Sequence, residues 1–220
     1  MGREAAVLVL FGDGPDLLLT ERSADLRTHA GQAAFPGGGR DAADTDLVAT
    51  AVREATEETG LDPASVVPLA TLPPLTIPVT GFAVTAVLAH WERPGRVGVV
   101  DPDEVAAVVR VPLSALADPA RRFRVVGPSG RVGPAFAAGG LLVWGFTAGL
   151  ISWLLDLGGW SVPWDTTDVR GLDEAWCARH EPVGGVVDRE RHAAGSTDGA
   201  VGEIAANGGD GAVAGGGTGR

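Results

Sequence analysis

An α+β fold is predicted for this chain, a mixed β-sheet with a helix on one face, and three observations predict it. Two short apolar segments around a Gly-Asp-Pro turn open the sequence, an amphipathic helix carries residues 48–58, and apolar, β-branched segments follow that helix. At 45% hydrophobic content, 220 residues supply ample material for a core. One domain is expected over residues 1–165, followed by a C-terminal extension over residues 166–220.

Ala5 to Phe11 and Leu17 to Thr20 read as strands, joined into a hairpin by GDGPD, whose Gly, Asp and Pro are turn formers. The segment LLLTERSADLRTHAGQAAFPGG, residues 17–38, becomes polar and basic and reads as a loop able to contact phosphate, with Arg22, Arg27 and His29 ahead of a glycine turn. In the helix beyond that turn, Val48, Ala51, Val52 and Ala55 form an apolar stripe that can dock on a sheet. Gly60 ends this helix as a C-cap and Pro63 keeps it from resuming. Val66 to Leu72 and Val79 to Trp91 then read as strands, separated by a rigid loop containing Pro73, Pro74 and Pro78. An acidic loop leads into a strand from Val105 to Val111 and a short helix opened by Pro112. Arg121 to Val126 reads as a charged, solvated edge strand in preference to a basic patch facing nucleotide phosphates. Ala135 to Leu155 carries no charge, yet glycines, Thr147 and Ser152 interrupt it and no basic flank anchors it, which argues against a membrane span.

The chemistry is concentrated on the helix. Glu54, Glu57 and Glu58 stand at i, i+3 and i+4, so their carboxylates share one edge beside the apolar stripe. Like charges on adjacent turns repel by about 0.2–0.5 kcal/mol per i,i+4 pair, and Arg53 can offset only part of that. A hard divalent cation, held by a few carboxylates and completed by water and substrate phosphate, supplies the rest. This is the chemistry of magnesium at a phosphoanhydride.

REATEETG, residues 53–60, preceded by a glycine-rich segment, resembles the signature box of the Nudix hydrolases. The resemblance implies a Nudix α/β/α sandwich that binds Mg²⁺ or Mn²⁺ and cleaves a nucleoside diphosphate linked to another group. It further implies Glu54, Glu57 and Glu58 as metal ligands, Arg53 as the group orienting a glutamate, and Gly38 or Gly39 at the turn. The general box also carries a glutamate early in its helix, at a position occupied here by Thr45 with Asp44 and Asp46 on either side.

TERSADLRTHAGQAAFPGGGRD is similar to a motif found just upstream of the box in the Nudix subgroup that hydrolyses coenzyme A, where Asp residues often stand in place of that glutamate. This implies cleavage of coenzyme A to 4′-phosphopantetheine and adenosine 3′,5′-bisphosphate, with Arg22 and Arg27 as candidate phosphate contacts through their bidentate forks and His29 as a further one. LLVWGFTAGLISWLLDL resembles the closing helix of the same subgroup. In several Nudix enzymes a glutamate from a loop beyond the box acts as general base or adds a metal contact; Glu104 is the best placed here, with Asp103 competing. The base that takes the water's proton is therefore Glu57, Glu58 or Glu104. The box reports reaction type and not leaving groups, so ADP-ribose, dinucleotides and nucleoside triphosphates stay open as substrates, as does a catalytically silent nucleotide sensor.

A net charge of −11 and a pI near 4.7 argue against nucleic acid or an anionic membrane surface as partner, so an anionic small molecule must be drawn by metal and a local basic cluster. The oligomeric state is not set by the sequence, and a homodimer stays open. Cys177 is the sole cysteine, which excludes an intrachain disulfide, and the N-terminal residues lack the apolar run of a secretory signal; a cytoplasmic location is expected. From about residue 182 onward Gly, Ala and small polar residues dominate, and such a tail is expected to be disordered.

Overall fold

The computed structural model describes residues 2–26, 30–77, 81–178 and 187–188. Arg3–Gly12 (β1) and Asp16–Arg22 (β2) form the expected hairpin, paired next to the turn through Phe11 with Leu17 and Gly12 with Asp16. Beyond those pairs the two strands part. Ala33–Ala34 (β3) pairs with β2 and Gly37–Gly39 (β4) pairs with β1, so the segment expected to be a loop places two short strands between the arms of the hairpin.

The helix spans Leu47–Thr59 (α1). Asp46 caps it by accepting from the Ala49 N–H, and Gly60, left-handed at φ 67°, donates its N–H to the Thr56 carbonyl, as its position in the sequence implied. Val66–Thr71 (β5), Leu75–Ile77 (β6) and Phe82–Trp91 (β7) follow. Inside the proline loop, β6 pairs with β7, which proline-rich sequence alone does not announce. Val105–Pro112 (β8) leads into Leu113–Ala117 (α2). Arg122–Val126 (β9), Val132–Ala138 (β10), Leu141–Val143 (β11), Gly145–Leu157 (α3), Val169–Gly171 (β12), Leu172–Ala178 (α4) and Val187–Asp188 (β13) complete the described elements.

The main sheet has the order β13-β8-β2-β1-β7-β5, with β1 and β7 parallel along Arg3 to Phe11 and the other neighbours antiparallel. A second sheet has the order β11-β10-β9-β12. Alternation along β1 and β2 sends Leu8, Leu10 and Leu18 to one face, where Ala51 and Ala55 of α1 meet them, and Val9, Leu17 and Leu19 to the other, where Ile151 and Leu154 of α3 close the core. Helices therefore cover both faces of a mixed sheet, as expected.

Arg122 departs from expectation. β9 lies inside the second sheet between β10 and β12, so it is not a solvated edge strand, and Arg122 is buried at 3% exposure. Its guanidinium packs against the rings of Phe136 and Trp164 and donates to the hydroxyls of Ser161 and Ser152, both at 3.1 Å. A run of three arginines reads as surface because charge is rarely buried; here aromatic faces and hydroxyls replace water. The extension adds ordered structure too: β12 pairs in parallel with β9, and α4 buries Ala175 while leaving Cys177 exposed. The rest of the tail expected to be disordered lies outside the described residues, apart from β13. Among the described residues no helix is long and apolar enough to cross a membrane.

Candidate active site

The glycine run is extended, not turned. Ala5, Ala6 and Val7 of β1 pair with Gly39, Gly38 and Gly37, and this places the strand directly under α1. A Cβ on Gly37 would collide with the Ala6 carbonyl oxygen and approach the Val7 Cα to 2.6 Å, while a Cβ on Gly38 would lie 2.6 Å from the carboxylate of Glu54. Gly37 thus serves the close approach of backbone to β1 and Gly38 that of backbone to the helix, whereas a Cβ on Gly39 would meet only Phe82 Cε1 at 3.8 Å.

That approach is what differentiates the three glutamates. Glu58 faces inward at 6% exposure, and its Oε2 accepts from the Gly37 N–H at 3.2 Å. Burial pushes its carboxyl up to about 7, against the opposing pull of the Gly37 N–H and Arg22, with Glu54 and Glu104 adding to the rise. Glu54 is partly buried against Gly38; burial pushes it up as well, Arg53 opposes this, and Glu57 and Glu104 reinforce it. Glu57 remains 59% exposed at its side chain and accepts from Arg53 Nη1 at 2.9 Å.

Arg53 is the hub. Besides Glu57 it lies 3.1 Å from Glu54 Oε1, donates from Nη2 to the Gly39 carbonyl at 3.1 Å, and grips Asp44 through Nε at 2.9 Å and Nη2 at 3.0 Å. The helix edge anticipated from spacing is real, but its carboxylates do not point to one spot, and Asp44, which the sequence offered only as one of the aspartates in place of the general box's early glutamate, is bound to the arginine. The signal that could have found it is its place nine residues before Arg53, on the loop entering the helix.

Glu104 is brought in from the loop before β8, where its carbonyl accepts from the Ser23 N–H at 2.9 Å, and its charge bears on both Glu54 and Glu58. Arg22 ends β2 within electrostatic reach of Glu58, and its Nε is buried without a hydrogen-bond partner among the described residues. Arg27 and His29 lie outside the described residues. Gly39, Arg40 and Asp44 line a cleft of about 540 Å³ together with Arg3 and Phe82, the Arg3 guanidinium stacked 4.3 Å from the Phe82 ring.

A family model described as the NUDIX domain matches residues 1–126. The chain belongs to the Nudix family. It is 44% identical over 163 residues to a protein of Citrobacter koseri called "Uncharacterized Nudix hydrolase NudL", covering 68% of this chain and 79% of that one. It is 49% identical over 113 residues to the protein of that name from Pectobacterium atrosepticum, covering 50% and 58%. Among solved structures, the Nudix hydrolase RenU of M. smegmatis resembles it with a TM-score of 0.49 at 21% identity, covering 74% of this chain and 89% of that one. This Nudix hydrolase therefore acts on a nucleotide-linked substrate, and Nudix hydrolases work with divalent metal ions.

The Nudix helix fits such an ion in kind. Its donors are hard carboxylate oxygens, and burial, with smaller contributions from neighbouring carboxylates, raises Glu54 and Glu58. Among the described residues no three acidic, His or Cys side chains converge closely enough to hold a metal unaided. An ion at this helix edge would take its remaining ligands from water and substrate phosphate.

Gly38→Ala isolates the role of Glu54. The methyl would displace the far end of a flexible side chain and leave backbone alone, so stability should change by less than about 1 kcal/mol. Displacing a working carboxylate by an ångström should lower turnover about a hundredfold. Thermal denaturation and steady-state kinetics on one preparation check both; a variant of normal activity would remove Glu54 from the site.

Proposed function

We propose that this Nudix hydrolase cleaves the diphosphate of coenzyme A or its derivatives to 4′-phosphopantetheine and adenosine 3′,5′-bisphosphate, with Mg²⁺ or Mn²⁺. The observation that carries the substrate is the segment TERSADLRTHAGQAAFPGGGRD, whose Arg22 stands at the end of β2 with its charge felt at Glu58.

Glu54, Glu57 and Glu58 would hold the metal. When bound, the ion offsets charge on the diphosphate oxygens and lowers the pKa of water. Arg53 orients Glu57 and Glu54, and the Gly37 N–H fixes the Glu58 carboxylate. Glu104, or Glu57 or Glu58, accepts the water's proton. Arg22, with Arg27 and His29 assigned from sequence, takes the phosphates of the nucleotide.

The test is a panel of coenzyme A, acetyl coenzyme A, ADP-ribose, NADH and nucleoside triphosphates with Mg²⁺ or Mn²⁺, products separated by chromatography. Adenosine 3′,5′-bisphosphate from coenzyme A is expected well ahead of any other product. Faster release from ADP-ribose or a triphosphate would refute the substrate while keeping the chemistry, and binding without turnover would identify a sensor.

A further inference from the structure

The loop between β4 and α1 is joined to the helix chiefly by one side chain, Asp44, which is 5% exposed. Its Oδ1 accepts from Arg53 Nε at 2.9 Å. Its Oδ2 accepts from Arg53 Nη2 at 3.0 Å, from the Asp41 N–H at 2.8 Å, and from the Thr50 hydroxyl at 2.9 Å, a hydroxyl that also lies 3.1 Å from the Asp46 carbonyl. A carboxylate offers about four acceptor sites; three donors meet Oδ2 and one meets Oδ1, so the group is held from both oxygens. Thr45, where the general box has glutamate, is exposed, with its carbonyl accepting from Arg40 Nη2 at 3.2 Å.

We infer that Asp44 is a positioning residue for the hydrolysis: it fixes Arg53, and through Arg53 the carboxylates of Glu54 and Glu57, and it is not itself a metal ligand. This rests on the reading of Glu54 and Glu57 as working groups of the reaction. Geometry gives the reason. Arg53 carries a rigid planar fork, and a fork held by two glutamates of its own flexible helix edge could swing with them. Gripped along its Nε–Nη2 edge by Asp44, and from Nη2 by the Gly39 carbonyl, it presents Nη1 to Glu57 from a fixed direction. Asp44 is itself immobilised by Thr50 of the first helical turn and by the Asp41 backbone, so the whole chain of contacts is anchored in secondary structure. The Arg53 guanidinium, followed by the Asp41 N–H, holds the Asp44 carboxyl well below the usual carboxylate range, so the grip persists at any pH at which the protein is studied.

The test compares Asp44→Ala, Arg53→Ala and the double variant, with Asp44→Asn as a milder change should Asp44→Ala fold poorly. Mn²⁺ binding to each full-length protein, counted by electron paramagnetic resonance without substrate, should show the wild-type number of ions in Asp44→Asn; loss of an ion overturns the inference. With the nucleotide substrate, Asp44→Ala should lower kcat roughly 10–100-fold, the usual loss on removing a support for metal-site residues, with KM nearly unchanged. The double variant should be no slower than Arg53→Ala; additive losses, or a lowered melting temperature with normal kcat, overturn it. If the wild type turns over nothing in the panel, the functional reading fails separately. The anchoring is then decided by melting temperatures of the metal-free variants, where a shift on removing Asp44 that persists in Arg53→Ala overturns it.

Discussion

Glu58→Gln lowers turnover by about a hundredfold to ten-thousandfold, the range for loss of a metal-binding or proton-accepting group, and at the same time makes the metal-free protein more stable at pH 8. The second effect follows from burial. Glu58 carries its carboxyl up to about 7 in the folded chain against 4.5 ordinarily, so between those values the folded protein holds a proton that the unfolded chain has released. Stability of the metal-free protein therefore falls as pH rises from about 4.5 to about 7 and stays lower above it, by at most about 3 kcal/mol. Glutamine carries no charge, keeps an acceptor for the Gly37 N–H and removes this cost. Melting curves at pH 4 and pH 8 should coincide with wild type at the first and exceed it at the second, and added Mg²⁺ should raise the wild-type curve more than the variant's. Equal curves at pH 8 would show that Glu58 is not held at a cost to stability, and full metal-dependent turnover in both Glu58→Gln and Glu57→Gln would remove the helix carboxylates from the mechanism.

The second large effect belongs to Gly37→Ala. Its methyl meets the Ala6 carbonyl oxygen and the Val7 Cα, both backbone atoms of the central strand β1, which cannot rotate away as the Glu54 side chain can from Gly38. Either β4 leaves β1 or the centre of the main sheet shifts, at a cost of about 3 kcal/mol, the upper range for overpacking a core. The Gly37 N–H moves away from Glu58 in both cases, so activity falls together with melting temperature. Comparing Gly37→Ala with Gly38→Ala by denaturation separates a backbone collision from a side-chain one. Similar stabilities would mean that β4 is not pressed against β1 as described.

Sequence by itself determined the hairpin, the helix with its stripe of Val48, Ala51, Val52 and Ala55, its Gly60 cap, the strands after it, and the grouping of Arg53 with three glutamates. These features are local: period, capping and turn chemistry act over a few residues, so they are written where they occur. Tertiary structure alone decided how Glu54, Glu57 and Glu58 differ, because burial and partners come from Gly37, Gly38, Arg22 and Glu104, which stand 16 residues or more from Glu54 in the chain. It alone turned a presumed glycine turn into a strand under the helix, placed Arg122 between aromatic rings inside a second sheet, and gave Asp44 to Arg53. A charged residue reads the same in sequence whether water or a buried partner receives it; only packing decides which.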